Sequence, residues 1–532
     1  MDDVIESVGS FGKFQYRVII LIGLISALSS ALLYATIFIA AEPDLICKID
    51  RKDSYINYTN NQQNVTDELD QCQIWSIIMK SNNSNIIQDE NYLLKSEDNN
   101  FKYECSFDKT YYDKTIINEW NLVCDRNYKA SLTQTVHIFG SIFGFCGGIL
   151  GDKLGRRRSV LIFFVLLTLT LMVSQFLLLN IIHLSNDAKY IIYSVSQFLI
   201  GLLVNCLYCT AYVLLFEFST EKYRTIISNL NSYIYVGGEL IALVVYYFSR
   251  NWHVLNWFIA IYSLALLILT YFFLPESPLW LLSSSTSHNS YSKAIKILST
   301  MAKTNGKKNY QIPDSVIEDY KQKEKLLQDP SDTSSSNTKK LSLNDNIYIE
   351  NGKSIPSDVN NDIEINKNNS DLLITNDDLE ISKSSENGES LDELDDEEAD
   401  FDLLVLKQIF VPKKNLIKTL LLFFIWIALM LIYYGISLGV TSIDNVNPYL
   451  MYFLSSIAEI IGYIACYIND VIGRKKTISL FLFITTLMYA FIAIFTEYVT
   501  GNESDPYSFK AILLMIFALI GKCAVSGSYN VR

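Results

Sequence analysis

GDKLGRRRSV at residues 151–160 and NDVIGRKKTI at residues 469–478 share one arrangement: an Asp, two residues, a Gly, then an Arg followed by further basic residues. Each stretch sits between long apolar segments. A charged turn written twice in such surroundings points to two related halves, each carrying the turn between its second and third apolar segments. Working outward from the turns, ten apolar blocks are found, at about 18–40, 129–151, 159–182, 189–215, 228–248, 255–274, 415–438, 448–468, 477–496 and 509–530. Each is close to the roughly 20 helical residues needed to cross a hydrocarbon core of about 30 Å. A 532-residue chain with half its residues apolar is therefore expected to be an all-α polytopic membrane protein. No cleavable signal peptide is expected, because the first block follows a polar N-terminus and is long enough to span and stay.

Basic residues in short loops set the orientation. Arg156, Arg157 and Arg158, then Lys222 and Arg224, then Arg474, Lys475 and Lys476 all fall on one side, which reads as cytoplasmic. The segment 41–128 then lies outside. It carries Cys47, Cys72, Cys105 and Cys124, which allow two disulfides in any of three pairings. The sequons at Asn57, Asn64, Asn82 and Asn502 also fall outside, as glycosylation requires. The net charge of −13 is local: residues 311–402 hold 25 Asp/Glu against 8 Lys/Arg. That segment has too little apolar content to bury and is expected to be disordered. The domain reading is a six-helix bundle over 1–275 including the outer loop 41–128, a cytoplasmic linker over 276–414, acidic and disordered over about 311–402, and four helices of a second bundle over 415–532.

Within the turns, Gly148 and Gly155 allow close backbone packing or a positive φ, and Asp152 can accept hydrogen bonds from an Arg or a neighbouring helix end. The basic cluster is held at the inner leaflet. The same roles are expected of Asp470, Gly473 and Arg474.

GILGDKLGRRRS matches the loop motif of the major facilitator superfamily. Within that superfamily the chain resembles the organic ion transporter family of organic cation, carnitine and organic anion carriers. INEWNLVCDR at 117–126 is similar to that family's signature, as are FEFSTEKYRT at 216–225, LPESPLWLL at 274–282 and YYGISL at 433–438. The Cys-bearing outer loop distinguishes it from sugar porters. The resemblance implies two six-helix bundles, with the loop-motif residues Gly148, Asp152, Gly155, Arg156, Arg157, Glu217, Arg224, Asp470, Gly473 and Arg474 at their cytoplasmic ends. Two residues depart from the pattern: Gln197, where many members carry Arg, and Leu279, where this family usually has Arg. ALIGKCAVSGSYNVR at 518–532 resembles a tenth helix, so the second bundle is expected to be incomplete, lacking its last two helices.

A charged side chain deep in a span costs about 2.5–3.5 kcal/mol on insertion scales and is tolerated facing a cavity or a partner. Glu239, Glu459 and Lys522 are such residues and are the first candidates for substrate contact; a structural pair between Lys522 and one Glu is the plainer alternative. Helical spacing places Tyr235 with Glu239, Tyr452 and Tyr463 with Glu459, Trp426 with Tyr433, and Asn205 with Tyr208 and Tyr212. The resemblance implies aromatic residues lining a central cavity at Tyr208, Tyr235, Trp426 and Tyr433, and an acidic residue at Glu459. EIIGY at 459–463 resembles a stretch of carnitine-type members, although Ile461 replaces a Pro. Tyr463 stands where anion carriers tend to place Lys. His137 is expected to pack and make one hydrogen bond.

No nucleotide-binding motif, metal-ligand cluster or nucleophile–base pair is evident, so neither an enzyme nor a resident cofactor or metal is expected, and no nucleic-acid partner. The expected partners are the lipid bilayer and a small organic ion. The resulting expectation is a plasma-membrane transporter of small organic cations or zwitterions, carnitine-like or quaternary ammonium compounds, working by alternating access. The coupling ion is left open; membrane potential alone supplies about 2.3 kcal/mol per charge per 100 mV. The rival readings are an organic anion carrier or exchanger, in which Lys522 meets a carboxylate, and a non-transporting truncated isoform.

Overall fold

The computed structural model describes residues 2–51, 54–57, 72, 94–98, 101–179, 185–283, 288–307, 413–439, 446–464, 472–498 and 509–530. Asn64, Asn82, Asn502, Asp470 and the acidic segment 311–402 lie outside the described residues, as do the side chains of Cys47 and Asn57. Two units are distinguished by packing: Met1–Glu324 with Trp426–Arg532, and Lys325–Ile425. Of the second, only 413–425, the first half of one helix, is described. Everything that follows concerns the first.

Among the described residues, nine helices are long and apolar enough to cross a membrane. The first six spans are Lys13–Ile39, Cys124–Leu154, Arg156–Leu178, Asn186–Glu217, Glu221–Ser249 and Trp252–Phe273. The seventh is Asn415–Ser437, the ninth Arg474–Phe495 and the tenth Ile512–Asn530. The eighth is a shorter apolar helix, Pro448–Ile464, and residues 465–471 are not described. Helix is the form these blocks must take, because lipid offers no partner for a backbone amide or carbonyl. Hydroxyls inside the spans turn back on their own helix for the same reason: Ser26 and Ser29 donate to the carbonyls of Ile22 and Ile25, and Thr168 to that of Phe164. The helices overrun the apolar blocks at their charged ends. The fifth begins at Glu221, with Thr220 at its N-cap, where hydropathy alone places the start near residue 228.

The first span packs against the fifth, sixth and fourth, the third against the fourth and sixth, and the second against the fourth. The eighth span packs on both the tenth and the fifth, and so joins the two halves. The second and fourth spans approach through glycine. A Cβ on Gly140 would collide with the Phe198 carbonyl, and one on Gly201 with that of His137.

The outer segment holds an antiparallel sheet that the hydropathy reading does not anticipate. Strands β1 (Leu45–Arg51), β2 (Ser54–Asn57), β3 (Leu94–Asp98) and β4 (Phe101–Phe107) lie in the order β2-β1-β4-β3. The β1–β4 register places Cys47 opposite Cys105, and Cys105 is disulfide-bonded. Cys72 is bridged to Cys124. A short helix, Ile116–Trp120, follows, capped by Thr115 and Asn118: the Thr115 amide donates to Asn118 Oδ1 at 2.8 Å.

That helix gives INEWNLVC a physical role. Trp120 meets Tyr193 of the fourth span and Trp252 of the sixth edge-on, both with centroids 5.5 Å apart. Glu119 Oε2 accepts from the Trp252 indole at 2.7 Å and lies 2.9 Å from His253 Nε2. The loop is thereby docked on the outer ends of two spans. Burial works to raise the Glu119 carboxyl, but its bonds to His253 and Trp252, with Lys189 nearby, outweigh that and hold it below the ordinary carboxylate value. Its stabilisation is therefore present above the unfolded carboxylate pKa and is lost as pH falls through the lower folded value. Glu119→Gln is expected to cost about 1.5–3 kcal/mol at neutral pH. In thermal denaturation of the detergent-purified protein, the gap from wild type should shrink in acid; a gap independent of pH would show that the carboxylate charge plays no part.

Candidate functional site

The two ends of the first unit are built differently. At the basic end, Gly155 adopts φ +99°, a region that other residues enter at a cost, and turns the second span into the third. Arg156 then reaches back. Its Nη1 lies 2.5 Å from Asp152 Oδ1 and its Nε 3.0 Å from Glu217 Oε1 at the end of the fourth span. The Arg157 amide donates to Glu276 Oε1 at 2.8 Å, and the Trp280 indole to the Asp152 carbonyl at 2.8 Å. Three separate sequence stretches, around residues 152, 217 and 276, are thus one knot. Gly473 repeats the positive φ at +92°, and the Thr477 amide bonds to its carbonyl at 3.1 Å. Arg474 lines a cavity of about 370 Å³ with Arg224, Glu221 and Asn530. Gly148 does not play the role expected of it. Nothing lies within 4 Å of where its Cβ would be, and its φ is not positive; Gly147, against the Cys206 backbone, supplies the close approach instead.

Towards the sheet end, aromatic residues from both halves close together. Phe38 packs on Tyr246, Tyr449 and Tyr452, with centroids 5.1, 6.2 and 5.1 Å away. The Tyr449 hydroxyl donates to the backbone carbonyl of Tyr111 in the outer loop. Tyr452, grouped with Glu459 by helical spacing, belongs to this seal.

Between seal and knot lies a cavity of about 720 Å³. Tyr208, Tyr235, Trp426 and Tyr433 all line it, with Tyr463, Tyr434 and Tyr529. Tyr433 and Tyr529 stack at 5.1 Å, Trp426 meets Tyr529 edge-on at 5.9 Å, and Tyr208 meets Tyr235 edge-on at 6.2 Å. His137 is on the wall, its Nδ1 3.0 Å from Gln197 Oε1. Gln197 thus pairs with an imidazole where many members of the resembled superfamily place an Arg.

Glu239, Glu459 and Lys522 are not on the wall. They are 2%, 0% and 2% exposed and form a layer behind it. Lys522 Nζ lies 2.8 Å from Glu459 Oε2, bonds to Ser437 Oγ, and sits 4.1 Å from the centre of the Tyr433 ring. Glu459 Oε1 accepts from the hydroxyls of Tyr433 at 2.6 Å and Tyr463 at 2.5 Å. Two wall tyrosines therefore hang directly on a buried carboxylate. The pairing of Lys522 with one Glu is the structural alternative raised from the sequence. Spacing missed Tyr34, whose hydroxyl donates to that of Tyr433 at 3.2 Å, and Ser456, which donates to Glu239 Oε2 at 3.4 Å. Ser437 was findable, since it is four residues from Tyr433 on one helix face.

In sequence, the chain is similar to known transporters. The family profile "Sugar (and other) transporter" matches residues 90–342. The Drosophila melanogaster beta-alanine transporter is 29% identical over 335 residues, covering 57% of this chain and 52% of the relative. Organic cation transporter 1 of Caenorhabditis elegans is 30% identical over 346 residues, covering 64% and 55%. Human solute carrier family 22 member 16 is 24% identical over 557 residues, covering 99% and 78%. The chain is thus similar to organic cation transporters and other solute carriers. Each of these relatives is named as a transporter or solute carrier. The chain spans about half the length of the first two relatives. Among solved facilitator structures, the Escherichia coli xylose transporter XylE aligns with a TM-score of 0.48 and 13% identity, covering 96% of this chain and 85% of that one.

Proposed function

We propose that this chain is a plasma-membrane carrier of small organic cations or zwitterions, of quaternary ammonium or carnitine-like chemistry, moved by alternating access of its two halves. The observation that carries this reading is the aromatic cavity whose wall tyrosines Tyr433 and Tyr463 bond to buried Glu459. A cavity of about 720 Å³ falls in the size range of small-molecule sites. An ammonium group gains about 0.5–2 kcal/mol from each well-placed aromatic face. Behind the wall, Glu459, paired with Lys522, holds two of the tyrosines without closing the space. The names of two relatives, a beta-alanine transporter and an organic cation transporter, support a substrate carrying an ammonium group. The anion reading is less well supported, because Lys522 already has Glu459 and Ser437 as partners. The outer loop is read as glycosylated at Asn57, Asn64 and Asn82, with Asn502 glycosylated in the loop before the tenth span.

Uptake of tetraethylammonium by cells expressing the chain tests the proposal. Tyr235→Ala or Trp426→Ala should lower apparent affinity about 3- to 30-fold, the equivalent of one cation–aromatic contact. Glu459→Gln should lower uptake of tetraethylammonium more than that of an organic anion such as p-aminohippurate. The reverse order would overturn the cation reading.

A further inference from the structure

The buried layer holds two carboxylates and one ammonium. Lys522 is committed to Glu459 and Ser437, which leaves Glu239 without a counter-charge in direct contact among the described residues. Ser456 donates a long bond of 3.4 Å to its Oε2 and the Tyr34 hydroxyl lies against the carboxyl group, while its Oε1 meets no well-formed hydrogen bond among the described residues. The groups that face it are known from each element packed around it. They are Tyr34 on the first span, Tyr433 and Tyr434 on the seventh, Tyr452, Glu459 and Tyr463 on the eighth, and Lys522 on the tenth, with Tyr235 on its own helix. Phenols are neutral, Glu459 is a like charge, and the one ammonium is spoken for.

An ionised carboxylate out of water with no counter-charge in contact takes up a proton. The site is adjacent to a cavity built for a cation, and a cation placed there supplies the missing charge. On the substrate reading given above, we propose that Glu239 is a proton-exchange site: it carries a proton while the cavity is free of cation and releases it when an organic cation binds. The Tyr34 hydroxyl lies against Glu239 and is 3.2 Å from that of Tyr433, which is on the cavity wall, so a chain of hydroxyls links the carboxyl group to the cavity. One positive charge enters as one proton leaves, and the charge of the loaded site is unchanged. A proton gradient then drives the exchange, whereas simple cation entry would be driven by membrane potential.

The test uses the purified full chain in lightly buffered detergent, with tetraethylammonium as probe and a pH-sensitive dye as readout. Wild type should release about one proton per cation bound near neutral pH, and its apparent affinity should fall as pH is lowered. Glu239→Gln, whatever its affinity, should release none and lose that pH dependence. In proteoliposomes held at zero potential, an outward gradient of about one pH unit should accumulate tetraethylammonium towards about tenfold in wild type. Binding without proton release overturns the exchange proposal and leaves the cation reading standing, as does uptake that follows potential and ignores the proton gradient. Proton release that persists in Glu239→Gln overturns the assignment to this residue. Failure of wild type to bind any tetraethylammonium overturns the cation reading and this inference with it.

Discussion

Lys522→Met is expected to destabilise the folded protein by about 3–5 kcal/mol, the cost of breaking a buried ion pair from one side. The substitution keeps the unbranched stem and removes only the ammonium. Glu459, wholly buried, would then keep two phenol donors and no counter-charge, and Ser437 would lose its donor. Glu459→Gln together with Lys522→Met should recover much of the loss, because the pair is removed as a unit and no bare charge remains. Thermal and denaturant unfolding of both singles and the double in detergent measures the coupling. Strictly additive losses would mean that Lys522 and Glu459 do not act as a pair.

Arg156→Met is expected to cost about 2–3 kcal/mol, the value of charge-assisted hydrogen bonds to two carboxylates. Arg156 is largely covered and spans Asp152 and Glu217, whose second oxygen, Oε2, already lacks a partner among the described residues. Loss of the guanidinium frees the turn from the end of the fourth span, so limited proteolysis should cut earlier at the 152–158 turn. Arg156→Lys keeps the charge but not the planar fork that reaches both acids, and should restore less than half of the stability. An unchanged melting temperature in Arg156→Met would show that the knot is held by Glu276 and Trp280 alone.

Much of this architecture is legible in the sequence, for reasons that differ by residue. Spans announce themselves because lipid demands apolar composition over a fixed length. The basic turns are legible because a glycine with φ near +90° leaves a mark that few other residues imitate, and both Gly155 and Gly473 carry it. Helical spacing pairs Trp426 with Tyr433 and Tyr235 with Glu239, but it is the family resemblance that implies Tyr208, Tyr235, Trp426 and Tyr433 as one cavity wall. What spacing does not supply is depth. Glu459 and Lys522 share helix faces with wall residues, yet they lie behind the wall, because each meets its partners on helices remote in sequence. Tyr34 is 399 residues from the Tyr433 it bonds, and no local pattern links them. The sheet leaves little trace in the sequence because its short strands mix polar and apolar residues and form no hydropathy block. Gly148 and its neighbour Gly147 look alike in the sequence, and only three-dimensional packing, which sets Gly147 against the Cys206 backbone, separates the two.

The seal has a further consequence for mutational tolerance. Tyr449 bonds to a main-chain carbonyl at Tyr111, and a carbonyl is present whatever residue stands at 111. A saturation scan would therefore record position 111 as permissive, losing edge contacts to the rings of Tyr449 and Tyr112 at 6.2 and 6.5 Å, and position 449 as restrictive. The dependence at 111 lies in the length and path of the loop, so a single-residue deletion there would do what no substitution does.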